Sequence, residues 1–262
     1  MMGPSEDTLP DMPPMDESSA SGPVAASTPV LDWGASSRVG LKRQTNEDRY
    51  GHKGGVFAVA DGMGGRRGGA EASKLAIKLA LKYGNILGPG ASVEEWRGLV
   101  RTTNKEVRAT MSSQGLTKAG CTLTMASVES RRVTVAHVGD TRLYEFDRGT
   151  LHQRTRDHDL RNELTALGSD LAQAAAEGLP LSGLTSFIGQ PDATLRVEAF
   201  ELCPAPGARL LLCSDGVHRY LEHDAVVAAI SGCPPSEAAA ELTRQADMAG
   251  GRDNATAVVI QL

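Results

Sequence analysis

Three apolar segments of this chain end in an aspartate that stands beside a glycine. They read VFAVADG at residues 56–62, VTVAHVGD at residues 133–140 and RLLLCSDG at residues 209–216. An aspartate placed just past a buried strand, with a glycine next to it, can direct its carboxylate into a cleft. A single Asp-Gly pair is most often an ordinary turn, so the meaning of Asp61, Asp140 and Asp215 depends on whether they converge.

Two further acidic clusters lie in loops beside strands or turns. TNEDR contains Glu47 and Asp48, and GGRDNAT contains Asp253. Carboxylates that are brought together repel one another and raise one another's pKa unless cations neutralise them. A convergent set of this kind would therefore bind metal, and all-oxygen ligands favour Mg²⁺ or Mn²⁺ over zinc or copper.

The pattern of apolar residues predicts an α+β domain with antiparallel sheets. Predicted strands lie at residues 56–60, 120–128, 133–138, 142–146, 195–200, 209–213 and 256–261, and predicted helices at about 69–83, from Ser92, at 224–230 and at 236–248. The turns ESRR at 129–132 and DRGT at 147–150 are short enough for hairpins, which indicates antiparallel pairing. Between about 155 and 194 the pattern weakens, as is typical of a mobile flap.

Composition separates an acidic tail from a neutral body. Residues 1–30 carry five acidic residues and no lysine or arginine, and the whole chain has a formal net charge of -5. We expect a disordered Pro/Ser-rich tail over 1–30 and one domain over 31–262. No basic face suggests a nucleic-acid partner, no apolar stretch is long enough to span a membrane, and the four cysteines lack metal or disulfide spacing. We therefore expect a cytoplasmic monomer.

The motifs RQTNED (43–48), VADGMGG (59–65), HVGDTR (137–142), CSDGV (213–217) and GGRDNAT (250–256) stand in this order along the chain. In sequence and spacing they resemble the metal-dependent protein serine/threonine phosphatases of type 2C, in particular the bacterial branch. The resemblance covers about residues 33–262. It implies a four-layer α-β-β-α sandwich with two central antiparallel sheets between helices.

The resemblance also implies roles for individual residues. It implies that the carboxylates of Asp48, Asp61, Asp215 and Asp253 would be ligands of two core metal ions. The backbone carbonyl of Gly62 would assist them. Asp140 matches the position that helps to hold a third, weaker ion. Arg43 matches the arginine that grips the substrate phosphate. Glu47 would act through metal-bound water, and Asn254 would support the last ligand.

The activity implied is hydrolysis of phosphoserine and phosphothreonine in proteins, with no covalent enzyme intermediate. Two Mn²⁺ or Mg²⁺ ions can share a water and lower its pKa from about 15.7 towards 7, so that a bridging hydroxide attacks phosphorus. The partners implied are phosphorylated proteins, targets of a Ser/Thr kinase or that kinase itself, and the protein would act in signal transduction.

Several alternatives are open at the level of sequence. The chain could be an inactive relative that docks phosphoproteins, or a hydrolase of small phosphate esters. The proton donor to the leaving group is also open: His137 and metal-bound water are candidates, and His137 could instead have only a structural role. Arg66 stands where bacterial relatives often have a histidine, and it could face substrate or solvent.

Overall fold

The computed structural model describes residues 31–64, 67–88 and 90–262. The predicted tail over 1–30 and the question about Arg66 lie outside these residues. In the described part the chain forms two five-stranded antiparallel sheets and a two-stranded ribbon. No helix within residues 31–64, 67–88 and 90–262 is long and apolar enough to cross a lipid bilayer.

The strands are β1 (Trp33–Arg38), β2 (Arg49–Lys53), β3 (Val56–Ala60), β4 (Gly62–Met63), β5 (Gly120–Cys121), β6 (Leu123–Glu129), β7 (Arg132–Val138), β8 (Arg142–Asp147), β9 (Thr150–Gln153), β10 (Glu198–Leu202), β11 (Arg209–Cys213) and β12 (Ala255–Gln261). The helices are α1 (Arg67–Leu87), α2 (Val93–Ser113), α3 (Leu160–Ala166), α4 (Leu171–Ala176), α5 (Asp215–His218), α6 (His223–Ile230) and α7 (Pro235–Met248). One sheet has the order β1-β12-β11-β8-β9 and the other β10-β7-β6-β3-β2, while β4 pairs with β5.

Three hydrophobic layers hold the two sheets and the helices together. Strand β3 contributes to two of these layers, because its side chains alternate between the two faces of the sheet. Val56, Ala58 and Ala60 pack with α1 and α2, whereas Phe57 and Val59 pack between the two sheets. A third layer lies between the sheet of β12 and helices α6 and α7. The four-layer α-β-β-α arrangement expected from the sequence is therefore confirmed.

Most predicted elements are present with shifted ends. The first helix extends further in both directions than predicted, and α2 begins after Ser92, whose side chain forms a capping box with Glu95. The strand predicted at 195–200 is displaced: it runs as Glu198–Leu202, because residues 192–194 form a turn of 3-10 helix and Leu195 follows it. The hairpins β6–β7 and β8–β9 confirm antiparallel pairing.

The segment predicted as a flap carries the short helices α3 and α4. It is joined to the body by reciprocal backbone hydrogen bonds between Cys121 and Ile188, with N–O distances of 3.0 and 2.7 Å. The backbone N–H of His158 also donates to the Gly139 carbonyl at 2.7 Å. These contacts place the loop between α4 and Ile188 over one end of the two sheets. Its mobility stays a prediction.

Candidate metal centre

The five acidic motifs meet at one end of the sandwich. Strands β3, β7 and β11 end there, and β2 and β12 begin there, because antiparallel pairing places the Arg49 end of β2 beside Ala60 and the end of β11 beside the start of β12. A cleft of about 370 Å³ opens between these turns, and its lining includes Arg43, Glu47, Asp61, Gly62, Asp140, Asp215 and Asp253. The structure thus brings the predicted site residues together, with Asp48 buried behind the rest.

Asp48 is held through only one of its carboxylate oxygens. Its Oδ2 accepts hydrogen bonds from the hydroxyls of Ser214 at 2.6 Å and Thr256 at 2.8 Å. Its Oδ1 is buried and has no hydrogen-bond partner among the residues that the structure describes. A buried carboxylate oxygen without a donor is costly, and a cation is the partner that would relieve it.

Asp215 shows the same division between its two oxygens. Its Oδ2 forms an ion pair with Arg219 Nη1 at 3.0 Å. Its Oδ1, within the described part of the chain, is buried without a partner. The residues present therefore fit divalent cations, since two carboxylates each keep one oxygen in place and leave the other available as a hard ligand.

Burial and mutual repulsion disturb the ionisation of this cluster. Burial raises the pKa of Asp48 to about 7, against the opposing hydrogen bonds from Ser214 and Thr256. Burial, followed by the charges of Asp48 and Asp215, raises the pKa of Asp61 well above its usual range. The pKa of Asp215 is also raised, chiefly by burial, although Arg219 opposes the shift. Such a cluster binds either protons or cations.

Tight backbone packing fixes the turns that carry these carboxylates. Thr122 holds Asp61, because the Asp61 N–H donates to the Thr122 hydroxyl and the Thr122 N–H donates to the Asp61 carbonyl, both at 2.8 Å. A Cβ on Gly62 would lie 2.4 Å from the Gly69 carbonyl oxygen, and one on Gly216 would lie 1.8 Å from the carbonyl oxygen of Asn254. Only glycine allows these loops to approach so closely.

Asn254 joins the last motif to the first. Its Oδ1 accepts from the Glu47 N–H at 2.8 Å, and its Nδ2 donates to the carbonyls of Val39 and Thr45 at 2.7 and 3.0 Å. Glu47 lines the cleft, and its carbonyl accepts from the Ser73 hydroxyl on α1. The side chain of Asn254 therefore fixes the position of the loop that carries Glu47 and Asp48.

Arg43 lines the cleft and pairs with an aspartate at its rim. Its Nη2 lies 2.6 Å from Asp253 Oδ2, and the arginine side chain is half exposed. The contact raises the pKa of Arg43. Its other guanidinium nitrogens can face an anion in the cleft, because the fork offers five N–H donors.

Asp140 is bound by an arginine that the motifs alone do not reveal as part of the site. Arg219 Nη2 lies 2.6 Å from Asp140 Oδ2, and the same guanidinium reaches Asp215. His218 Nε2 lies 2.9 Å from the Asp140 carbonyl oxygen. Burial, together with the charge of Asp215, raises the pKa of Asp140 to about 7, and Arg219 opposes that rise.

His137 lies outside the lining of this cleft. Its Nε2 is 3.1 Å from the Arg156 carbonyl oxygen and its Nδ1 is 2.9 Å from the Thr124 hydroxyl, while burial lowers its pKa to about 4. With His158 and Glu198 it forms the histidine group, whose potential ligand atoms all lie within 4.8 Å of one another. The structural role of His137 weighed at the level of sequence accounts for these contacts.

Comparison with known proteins identifies the family of the chain. Residues 40–249 match the family model described as protein phosphatase 2C. The serine/threonine phosphatase stp of Listeria monocytogenes is 31% identical over 237 residues, which cover 85% of this chain and 92% of that protein. The serine/threonine protein phosphatase PstP of Mycobacterium tuberculosis is 32% identical over 241 residues, which cover 90% of this chain but 46% of the longer relative.

Solved structures show the same fold. The crystal structure of the Mycobacterium tuberculosis phosphatase PstP/Ppp superposes with a TM-score of 0.79 at 29% identity, covering 88% of this chain and 98% of that chain. The PstP catalytic domain in complex with two manganese ions gives a TM-score of 0.77 at 29% identity, covering 88% and 97% of the two chains.

Proposed function

The chain belongs to the protein phosphatase 2C family, and from this premise we propose that it hydrolyses phosphoserine and phosphothreonine of proteins with two Mn²⁺ or Mg²⁺ ions. One observation carries the proposal. Asp48 and Asp215 each leave a buried oxygen without a partner in the described part of the chain, at the end of the sandwich where Asp61 and Asp253 also lie.

The ligands proposed for the two core ions are the carboxylates of Asp48, Asp61, Asp215 and Asp253 and the backbone carbonyl of Gly62. When bound, the ions supply a bridging hydroxide at neutral pH and neutralise charge on the phosphoryl oxygens. The Ser214 and Thr256 hydroxyls orient Asp48 by holding its second oxygen. Hydrogen bonds of this kind keep a ligand in place before the cation arrives.

Arg43 is proposed to bind the substrate phosphoryl group. It reaches the cleft from the loop before β2, and its pairing with Asp253 fixes one side of the guanidinium. The remaining N–H donors match the geometry of two phosphoryl oxygens. The arginine can therefore orient the phosphoryl group for attack on phosphorus opposite the leaving oxygen. No side chain of the chain needs to form a covalent intermediate.

The proposal extends to the setting of the reaction. Its substrates are phosphorylated proteins, targets of a Ser/Thr kinase or that kinase itself, acted on in the cytoplasm by a monomer in signal transduction. Residues 31–262 form the catalytic domain, and residues 1–30 are an acidic tail that catalysis does not need.

The direct test is hydrolysis of a phosphothreonine peptide. We expect phosphate release with added Mn²⁺, loss of that release with EDTA, and recovery when Mn²⁺ is restored. Asp253→Asn should lose activity under the same conditions. Undiminished release in the presence of EDTA would contradict the proposal, and a strong preference for phosphorylated metabolites over phosphopeptides would redirect it to small esters.

A further inference from the structure

Arg219 connects two carboxylates of the cleft that come from different parts of the chain. Its Nη2 contacts Asp140 Oδ2 at 2.6 Å, and its Nη1 contacts Asp215 Oδ2 at 3.0 Å. Asp215 is four residues earlier on α5, whereas Asp140 follows β7. A guanidinium that binds two acids in this way occupies the position of a bridging cation.

Asp140 differs from Asp48 and Asp215 in how its charge is met. Asp48 and Asp215 each have a buried oxygen without a partner, but in the described part of the chain Asp140 has no such oxygen. Only 6% of the Asp140 side chain is exposed, so its ion pair with Arg219 is largely shielded from water. The buried charge of Asp140 is therefore compensated by the protein itself.

The backbone around Asp140 is fixed by the same short segment. His218 Nε2 lies 2.9 Å from the Asp140 carbonyl oxygen, one residue before Arg219. Because a carbonyl oxygen only accepts, this nitrogen donates. The two neighbouring side chains thus hold the Asp140 turn at its backbone and at its carboxylate. The guanidinium is also held at a second point by its contact with Asp215.

We propose that Arg219 is a built-in cation which takes the place of a third metal ion at Asp140, so that this phosphatase works with two ions. The inference rests on the function proposed above. A divalent ion bound to Asp140 would lie within a few ångströms of a permanently charged guanidinium, which repels it and already occupies Asp140 Oδ2. Arg219 is accordingly a positioning residue, and Asp140 is its partner.

The test counts Mn²⁺ ions per chain by equilibrium dialysis and metal analysis at millimolar Mn²⁺. We expect two ions in the unmodified protein and two in Arg219→Lys, which keeps the charge. Arg219→Asn should bind a third, weaker ion, because the asparagine offers an oxygen and leaves Asp140 without its cation. Adding Asp140→Ala to Arg219→Asn should return the count to two.

Arg132→Asn is the matched control. Its side chain is 37% exposed, as is that of Arg219, and it pairs with Glu201 on the sheet of β10. Its removal should leave the count at two and activity unchanged. A loss of ions caused by general weakening of the fold would appear in both variants.

The possible counts separate the two proposals. Three ions in the unmodified protein, or two in folded Arg219→Asn, would overturn the role of Arg219 and leave the two-ion phosphatase intact. A count below two in the unmodified protein would overturn both. Two ions rising to three only when Arg219 is lost, and only while Asp140 is present, would support both.

Discussion

Among the residues that the structure describes, the cleft carboxylates and the histidine group are both candidates to ligate a metal, and they differ in how their hydrogen-bonding capacity is used. In the cleft, Asp48 and Asp215 each keep one buried oxygen without a donor in the described part of the chain. In the histidine group, His137 contacts protein atoms through both ring nitrogens. Its Nε2 faces a carbonyl oxygen, so it carries a proton and is not free to bind a cation.

The rest of the histidine group follows the same pattern. His158 Nδ1 accepts from the Gly139 N–H at 3.2 Å, and Glu198 Oε2 accepts from the Arg156 N–H at 3.1 Å. Close spacing of ligand-type residues therefore does not make a metal site. What distinguishes the cleft is that two such buried oxygens, on Asp48 and Asp215, converge with further carboxylates. The other buried carboxylate oxygens without a hydrogen-bond partner in the described chain, on Glu163, Asp192 and Asp247, lie outside its lining.

The largest effect is expected for Asp61→Asn. Removing this carboxylate should lower phosphopeptide hydrolysis by about three orders of magnitude, the scale of losing one electrostatic group from a preorganised site. Because burial and neighbouring charges raise the pKa of Asp61, the same change should raise the melting temperature without metal. Steady-state kinetics and calorimetry in EDTA measure the two effects.

Asp157→Asn is the contrasting variant for stability. Asp157 is buried like Asp48, but its two oxygens accept from Arg142 at 2.7 to 3.2 Å. Its neutralisation should lower the melting temperature in EDTA. If the melting temperature of Asp61→Asn in EDTA also fell, the two carboxylates would play the same structural role, which would contradict the difference proposed between them.

The next largest effect is expected for Arg43→Ala. Loss of charge-assisted hydrogen bonds to the phosphoryl group should reduce kcat/KM roughly 10- to 100-fold, mainly through KM. Arg38→Ala is a close control. Arg38 lies 2.5 Å from Asp247 and its side chain is 48% exposed, while Arg43 lies 2.6 Å from Asp253 and its side chain is 50% exposed. An equal loss of kcat/KM in both variants would contradict the role of Arg43 in binding the phosphoryl group.

A smaller effect is expected in the pH dependence of the stabilisation that Mn²⁺ gives to the cleft. Burial raises the pKa of Asp48 to about 7 in the folded chain, whereas an aspartate in an unfolded chain has a pKa of about 4. Ionisation of Asp48 therefore destabilises the metal-free fold as pH rises between these values. Mn²⁺ relieves this repulsion. We expect Mn²⁺ to raise the melting temperature by roughly 5 to 10 °C at pH 8 and by less at pH 5.5.

Thermal unfolding with and without Mn²⁺ at the two pH values makes this measurement. Asp61→Asn provides the reference, because it removes one of the repelling charges. The same increase at both pH values would mean that Mn²⁺ does not bind at the raised-pKa carboxylates.

The smallest effect on metal binding is expected for His137→Phe. The substitution keeps a ring but removes the side-chain donor to the Arg156 carbonyl, at about 1 to 3 kcal/mol for an unsatisfied group, while the Thr124 hydroxyl keeps its contacts with Thr141. The melting temperature should fall while the number of bound Mn²⁺ ions stays the same. Loss of a Mn²⁺ ion would make the histidine group a metal site.

Much of the architecture could be predicted from the chain alone. The central strands were visible because their β-branched and aliphatic runs are buried on both faces, as in β3 and β12. Strands β1 (WGASSR) and β2 (RYGHK) were missed, since their glycines and polar residues carry little strand signal. Pairing with β12 and β3 makes them strands, which is a tertiary effect.

The site could be predicted in part. The five motifs marked the carboxylates, but their convergence depended on the fold and was implied only by the family resemblance. The spacing of Asp215 and Arg219 by four residues on a helical turn could have indicated that ion pair. The contact of Arg219 with Asp140 could not have been predicted, because 79 residues separate them and only the folded chain joins them.

Anomalous diffraction of manganese in crystals grown with Mn²⁺ locates the bound ions directly. We expect two anomalous peaks between Asp48, Asp61, Asp215 and Asp253, and none between His137, His158 and Glu198. A peak at the histidine group, or a cleft without manganese, would contradict this prediction.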